Sequence, residues 1–213
     1  MDNRSGDLTD TALTAGATEL VLYGGPTSPF ARMARVLGKE LGVSFRYEVI
    51  DVYNAEFLDR FNPLRQIPTL VVDNNLAIFD SRTIFDVFGR LSGREDVLPG
   101  TDHAHASRVA LLLGATEACL QYRMEIIRPE GNRSEKAAEK LLARLNRCLN
   151  HLESFAERIV DGPFRLEQVV AACALEYTDY RYSRAWRERC PRLDAWSNVF
   201  ALRDSMIASR PAE

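Results

Sequence analysis

Asn62-Pro63-Leu64-Arg65-Gln66-Ile67-Pro68-Thr69-Leu70-Val71-Val72-Asp73-Asn74-Asn75-Leu76-Ala77-Ile78-Phe79-Asp80-Ser81 carries the punctuation that decides the fold. Thr69 to Val72 and Leu76 to Phe79 are strand-like runs around an Asx-rich turn, Asp73-Asn74-Asn75, and read as a β-hairpin. Asp80 and Ser81 then cap a helix whose apolar face is Ile84, Phe85, Phe88 and Leu91. On the N-terminal side, Ile67 before Pro68 is driven toward extended geometry. A proline opening a strand of a central sheet calls for a turn or a functional explanation.

Working outward, Leu20 to Tyr23 reads as a buried strand ended by Gly24, Gly25 and Pro26. Ser28 is a good N-cap and Pro29 suits the first helical position. Phe30, Met33, Ala34, Leu37 and Leu41 then recur at helical spacing until Gly42. Phe45 to Val49 is a second strand, parallel to the first because a helix connects them. A short helical stretch over Glu56 to Phe61 precedes the hairpin. Residues 19–91 thus form a small mixed α/β domain, strand-helix-strand-helix-strand-strand-helix. Met1 to Thr18 has neither a basic nor an apolar signal region and reads as a flexible N-terminal arm.

Ser92 to Asp102, with Gly93, Pro99 and Gly100, is a linker by composition, and residues 103–213 carry only helical periodicity. Val109, Leu112, Leu113, Thr116, Leu120 and Met124 share one face, and Leu141, Leu145, Cys148, Leu152, Phe155 and Ile159 another. Asp161-Gly162-Pro163 breaks the chain. A third helix runs from about Leu166 to Tyr180, and a fourth after Pro191 carries Leu193, Trp196, Val199 and Phe200. The fold class is α/β plus all-α, with a helical bundle as the second domain.

The 213 residues are 46% hydrophobic and 27% charged, with a formal net charge of −3, which suits a soluble globular chain and leaves no basic face for nucleic acid. Apolar runs fall short of the ~20 residues of a membrane helix. Cys119, Cys148, Cys173 and Cys190 are widely spaced and form no C-x-x-C pair, so reduced thiols in a cytoplasmic protein are expected. His103 and His105 are two apart, about 200° around a helix, so no shared metal is expected.

Three segments carry a resemblance: Thr27-Ser28-Pro29-Phe30 at the first helix start, Asn62 to Leu70 before the hairpin, and Phe79-Asp80-Ser81 at the third helix start. In this order, followed by a helical domain ending in Cys190-Pro191-Arg192-Leu193-Asp194-Ala195-Trp196, the chain resembles a bacterial glutathione S-transferase over nearly all of Glu19 to Pro211. The resemblance implies a thioredoxin-like βαβ-ββα domain, glutathione as co-substrate and a two-fold homodimer.

Glutathione is a γ-glutamyl tripeptide with two carboxylates, one ammonium and one thiol. Its site needs anion donors, a cation acceptor, a strand-like edge and a thiolate stabiliser. Ser81 at a helix N-terminus offers its hydroxyl and orphan N–H groups to a carboxylate. Asp80 can receive the ammonium, and Gln66 can donate to the glycyl carboxylate. The resemblance implies a cis Ile67–Pro68 bond that turns the Ile67 backbone outward to pair with the tripeptide.

Ser28 is the candidate catalytic residue, as donor to the thiolate and not as a nucleophile. A thiol with an unperturbed pKa of about 8.5 is roughly 3% ionised at neutral pH, and lowering that value by ~2 units needs ~2.7 kcal/mol of anion stabilisation. A hydroxyl hydrogen bond to a charged group supplies ~1.5–3 kcal/mol and a helix terminus adds ~0.3–1. Thr27 is a second possible donor and Arg32 a source of positive potential, while Tyr23 reads as core.

Each residue also has a plain structural reading. Ser28, like Asp80-Ser81, suffices as a helix cap. Tyr122 and Arg123 fall where the first long helix of relatives lines the electrophile pocket, but a solvated face accounts for them equally. The chain departs from the family where a helix usually opens with a buried Ser/Thr-x-x-Asp capping box, because Arg165 and Gln168 stand there. Arg82 adds a positive charge near the γ-glutamyl end. The expected function is a cytoplasmic glutathione transferase acting in detoxification on a small hydrophobic electrophile. The alternatives are a non-catalytic binding protein of the same fold, or a glutathione-dependent peroxidase, isomerase or dehalogenase using the same thiolate.

Overall fold

The computed structural model describes residues 19–211, so the arm read over residues 1–18 lies outside the described residues. The chain divides into two compact units, one reaching Glu95 and the other running from Asp96 to Arg210.

In the first unit, Leu20–Gly24 (β1) pairs in parallel with Arg46–Val49 (β2) and antiparallel with Thr69–Val72 (β3), which pairs in turn with Leu76–Ile78 (β4), giving the order β2-β1-β3-β4. Pro29–Glu40 (α1) connects β1 to β2, a 3₁₀ turn spans Glu56–Arg60, and Ser81–Leu91 (α2) follows β4. This is a thioredoxin-like fold. The core forms where the helical stripes meet the central strands: Met33, Val36 and Leu37 of α1, Ile84, Phe85 and Phe88 of α2, and Leu22 and Leu70 are buried. The edge strand β2 leaves Arg46 and Val49 exposed.

Register decides what lies at the end of the sheet. Leu22 pairs with Leu70 and Leu70 with Ile78, so the three form one row across β1, β3 and β4. Two residues after Leu22 stands Gly24, two before Leu70 stands Pro68, and two after Ile78 stands Asp80. The antiparallel pairings therefore send all three segments off the same end, on adjacent strands about 4.8 Å apart.

The second unit is helical: His103–Ile126 (α3), Glu135–Ser154 (α4), Ala156–Val160 (α5), Leu166–Arg181 (α6), Trp186–Arg189 (α7), Pro191–Phe200 (α8) and Asp204–Ile207 (α9). α6 is buried along most of its length, including Val169, Val170, Cys173, Leu175 and Tyr177. It runs in the same direction as α3: Arg108 Nε meets Glu167 Oε2 at 2.5 Å near one end, and the Tyr122 and Tyr182 rings meet edge-on at 5.4 Å near the other. No described helix is long and apolar enough to cross a membrane.

Three expectations for this unit change. The spacing of Thr116, Leu120 and Met124 predicts one shared face, but two steps of four residues overshoot a 3.6-residue turn by about 40° each. Met124 is accordingly 42% exposed, and Ala115, Ala118 and Cys119 are buried. In α8, Val199 is 69% exposed, because Leu193, Ser197 and Phe200 form the inward stripe. The face read from Leu141 through Ile159 is interrupted at Phe155, whose backbone at φ −127°, ψ 27° separates α4 from α5.

At the unusual capping position, Gln168 does most of the satisfying. The Arg165 N–H donates to Gln168 Oε1 at 3.2 Å, and Gln168 Nε2 donates to the carbonyls of Ile159 (2.7 Å) and Gly162 (3.3 Å). Arg165 caps nothing with its side chain and instead pairs with Asp102 at 3.5 Å. Gly162 is held to glycine by close approach, since an added Cβ would lie 2.6 Å from the Arg158 carbonyl oxygen.

His105 of α3 is fully buried, and neither ring nitrogen has a partner among the described residues. Burial lowers its pKa, Arg165 and Arg108 act in the same direction, and Glu167 and Asp102 oppose them. The imidazole is therefore neutral in the native protein while the unfolded chain takes up a proton below about pH 6.5, so this contribution is present above that pH and is lost as pH falls. Urea midpoints are expected to drop between pH 7.5 and 5, and His105→Leu to flatten that slope. An unchanged slope in the variant would remove His105 as the cause.

Candidate functional site

Ser28 sits at the start of α1 with extended backbone (φ −70°, ψ 119°), and the Ala31 N–H donates to its Oγ at 3.2 Å. The Arg32 N–H donates to its carbonyl at 3.0 Å. The cap uses one lone pair of the hydroxyl and leaves its O–H as a donor, so capping and donation to a ligand are compatible roles. Because Pro29 has no N–H, the Phe30 N–H is the remaining donor at this helix start without a partner among the described residues. Thr27 is half-buried, like Ser28, and its hydroxyl too has no bond to a described residue.

The turn carrying Ser28 is fixed from β2. Tyr47 OH donates to the Gly25 carbonyl at 3.0 Å, and burial pushes the Tyr47 hydroxyl above its ordinary pKa, keeping it a donor. Arg35 lies over the same ring, 4.2 Å from its centre. A Cβ on Gly25 would stand 2.9 Å from Ile67 Cδ1, so the absence of a side chain lets the Ser28 turn pack directly on the Ile67 side chain.

Asn62, fully buried, organises the second segment. Its Nδ2 donates to the Gln66 carbonyl at 3.1 Å and to Thr69 Oγ1 at 2.9 Å, while its Oδ1 accepts from the Leu64 N–H at 3.1 Å. Thr69 Oγ1 donates to the same Gln66 carbonyl at 2.8 Å. This network occupies the Gln66 carbonyl and leaves the Gln66 side chain exposed. The Ile67–Pro68 peptide is cis. Neither the N–H nor the carbonyl of Ile67 is bonded within the described residues.

In the third segment Asp80 is the N-cap of α2, its Oδ1 accepting from the Arg82 N–H at 3.0 Å and its carbonyl from the Ile84 N–H at 3.1 Å. The Phe79–Asp80 peptide is also cis. Asp80 itself is exposed, while Ser81 is buried with its hydroxyl free of described partners. The end of the sheet thus gathers a carboxylate from Asp80, hydroxyls from Ser28, Thr27 and Ser81, an open backbone edge at Ile67 and the N-termini of two helices. Such a set can bind an extended zwitterion with anionic groups at helix starts.

The profile described as "Glutathione S-transferase, N-terminal domain" matches residues 27–91, which span all three segments. An uncharacterized GST-like protein of Escherichia coli K12, YibF, is 32% identical over 202 residues, covering 89% of this chain and 98% of the relative. The chain belongs to the glutathione S-transferase family. Among solved structures, a glutathione S-transferase of Methylobacillus flagellatus with glutathione bound superposes at a TM-score of 0.84 with 27% identity, over 91% of this chain and all of that one. A family member from Pseudomonas fluorescens Pf-5, also with glutathione bound, gives 0.79 and 28% over 92% of this chain and all of that one.

Of the competitors for the role of Ser28, Tyr23 is half-buried, and its ring packs against Phe57 and Phe61 with ring centres 5.3 and 6.5 Å away. Arg32 is buried. Asn62 and Tyr47 are positioning residues of this glutathione S-transferase family member that the sequence reading does not single out. Asn62 lies inside the quoted motif, where a polar residue beside a proline reads as turn. Tyr47 meets Gly25 from 22 residues away, and nothing local marks it. Among the described residues no group of three or more His, Cys, Asp or Glu is arranged to hold a metal ion.

Proposed function

We propose that this chain is a glutathione transferase that ionises the tripeptide thiol and adds it to a small hydrophobic electrophile. The observation that carries this reading is the convergence of Ser28, Ile67 and Asp80-Ser81 on one sheet end, each with hydrogen-bonding capacity left unused by the fold. The glutathione held by two structural neighbours supports the same ligand.

In the proposed complex the Ser81 hydroxyl and N–H hold the γ-glutamyl carboxylate, Asp80 takes the ammonium through its free oxygen, and Ile67 pairs with the tripeptide backbone in strand fashion. Pro68 sets the turn of that edge, and Gln66 donates to the glycyl carboxylate. Ser28 O–H donates to the thiolate, and the α1 N-terminus adds its dipole. The thiol proton passes to solvent, the sulfur lone pair forms the bond to the electrophilic carbon, and the displaced pair departs with the leaving group or, when a π-bond breaks, moves onto the adjacent atom. Peroxidase, isomerase and dehalogenase reactions begin from the same thiolate and differ in the electrophile.

Thermal denaturation with millimolar glutathione tests the reading. A ligand that binds only the native state stabilises it by RT ln(1 + [L]/Kd), about 2.7 kcal/mol at a hundredfold excess over Kd. The melting temperature is expected to rise with glutathione, and no rise would favour a non-catalytic member of the fold. A homodimer is part of the proposal, supported by the exposed apolar side chains Tyr53, Phe57 and Leu64, and sedimentation at micromolar concentration checks it. The four free cysteines suit a reducing, cytoplasmic compartment.

A further inference from the structure

Tyr47 carries a hydroxyl that the packing of the first unit does not require. Its ring fits closely against the last residue of β1: a Cβ on Gly24 would stand 2.8 Å from Tyr47 Oη and 2.7 Å from Ala31 Cβ, so the missing side chain of Gly24 is what admits it. Arg35 of α1 covers the ring, 4.2 Å from its centre. Phenylalanine would fill the same slot without withdrawing a hydroxyl from water. The acceptor does not call for the hydroxyl either. The Gly25 carbonyl already takes the Ser28 N–H at 3.2 Å, which closes the turn Gly25-Pro26-Thr27-Ser28 with proline in the second position, where its fixed φ suits a β-turn. Tyr47 brings a second donor to the same oxygen at 3.0 Å.

That second bond ties the turn to the sheet. β1 and β2 run paired as far as Gly24, whose carbonyl accepts the Ile50 N–H at 2.9 Å. Past this point, among the described residues, Tyr47 gives the one hydrogen bond that reaches residues 25–28 from outside the turn and α1. Gly25 also packs on the Ile67 side chain, next to the edge proposed for the tripeptide backbone. Holding the Gly25 carbonyl therefore fixes where the Ser28 hydroxyl stands relative to a sulfur carried on that edge. Hydrogen bonds weaken steeply with misalignment, and a displacement near 1 Å can cost about a hundredfold in rate.

We infer that Tyr47 is a positioning residue that sets the acidity of the bound thiol from β2, by holding the Gly25–Ser28 turn so that the Ser28 hydroxyl meets the sulfur. It acts through Ser28, and the inference rests on the reading of Ser28 as the thiolate donor. Tyr47→Phe keeps the ring and removes the bond. Ultraviolet titration of glutathione bound to the variant is expected to give a thiol pKa higher by about half a unit to one unit, with turnover at neutral pH about three- to tenfold lower and restored at alkaline pH. KM for glutathione should stay within about twofold, since Ile67, Asp80 and Ser81 are untouched. In a Ser28→Ala background, Tyr47→Phe is expected to add no further shift, because both substitutions act on one hydrogen bond.

A hydroxyl with a merely structural role would lower the melting temperature of Tyr47→Phe and leave its pH profile in place. An unchanged thiol pKa in Tyr47→Phe, or an equal shift with and without the Ser28 hydroxyl, overturns the role. The two readings fail in different ways. A shift in Ser28→Ala with none in Tyr47→Phe removes the role of Tyr47 alone, whereas an unshifted pKa in Ser28→Ala removes the assignment of Ser28 and the role of Tyr47 with it.

Discussion

Ser28→Ala is expected to raise the pKa of bound glutathione by about one to two units, worth ~1.4–2.7 kcal/mol of lost thiolate stabilisation. The rate at neutral pH should fall roughly ten- to a hundredfold and recover at alkaline pH, where the thiol ionises unaided. Affinity for glutathione should change little, because the carboxylate and ammonium contacts are remote from the sulfur. The variant also loses the cap that the Ala31 N–H uses, at a cost of about 1 kcal/mol in stability. That loss lowers the melting temperature without shifting the pH profile, so the two roles separate in one pair of measurements. Ultraviolet titration of the bound thiolate reads the pKa directly. An unchanged value would return Ser28 to the role of cap and transfer the thiolate contact to Thr27 or the Phe30 N–H.

The double variant Asp80→Ala, Ser81→Ala should eliminate the glutathione-induced rise in melting temperature at concentrations that stabilise the unmodified protein by about 2–3 kcal/mol. Asp80 Oδ1 caps α2, so the variant starts from a lower melting temperature, and the readout is the ligand-induced difference. Asp80→Asn provides the control. Asparagine caps a helix as well as aspartate does but carries no charge, so it should keep the melting temperature of the free protein while weakening glutathione binding. Full retention of the ligand-induced rise in both variants would move the γ-glutamyl contacts to other groups.

The elements of the first unit are legible because its punctuation is local. Ser28-Pro29 and Asp80-Ser81 act through bonds to residues within a turn of themselves, and such bonds depend on residue type and spacing alone; the Asp73-Asn74-Asn75 turn closes locally through the Asn75 N–H, although Asp73 and Asn74 also bond to the distant Glu19 and Arg60. The helical unit is less legible where periodicity is ambiguous. Steps of four from Thr116 to Met124 and steps of three from Leu193 to Val199 both look helical, yet each drifts off the buried face. His105 and Arg181 show the same limit for polar groups, since nothing near them in sequence says that a ring or a guanidinium nitrogen is buried without a partner.

By itself the sequence determined the element types, the caps and the segments from which the candidate site is drawn, since these follow from propensity and from contacts a few residues long. Tertiary structure alone decided that Gly24, Pro68 and Asp80 leave the same end of the sheet, that Tyr47 reaches Gly25, and that Gly25 admits Ile67. It likewise decided that Asn62 ties Gln66 to Thr69. These are consequences of strand register and helix packing, which depend on how distant apolar faces fit together, and no local pattern encodes that fit.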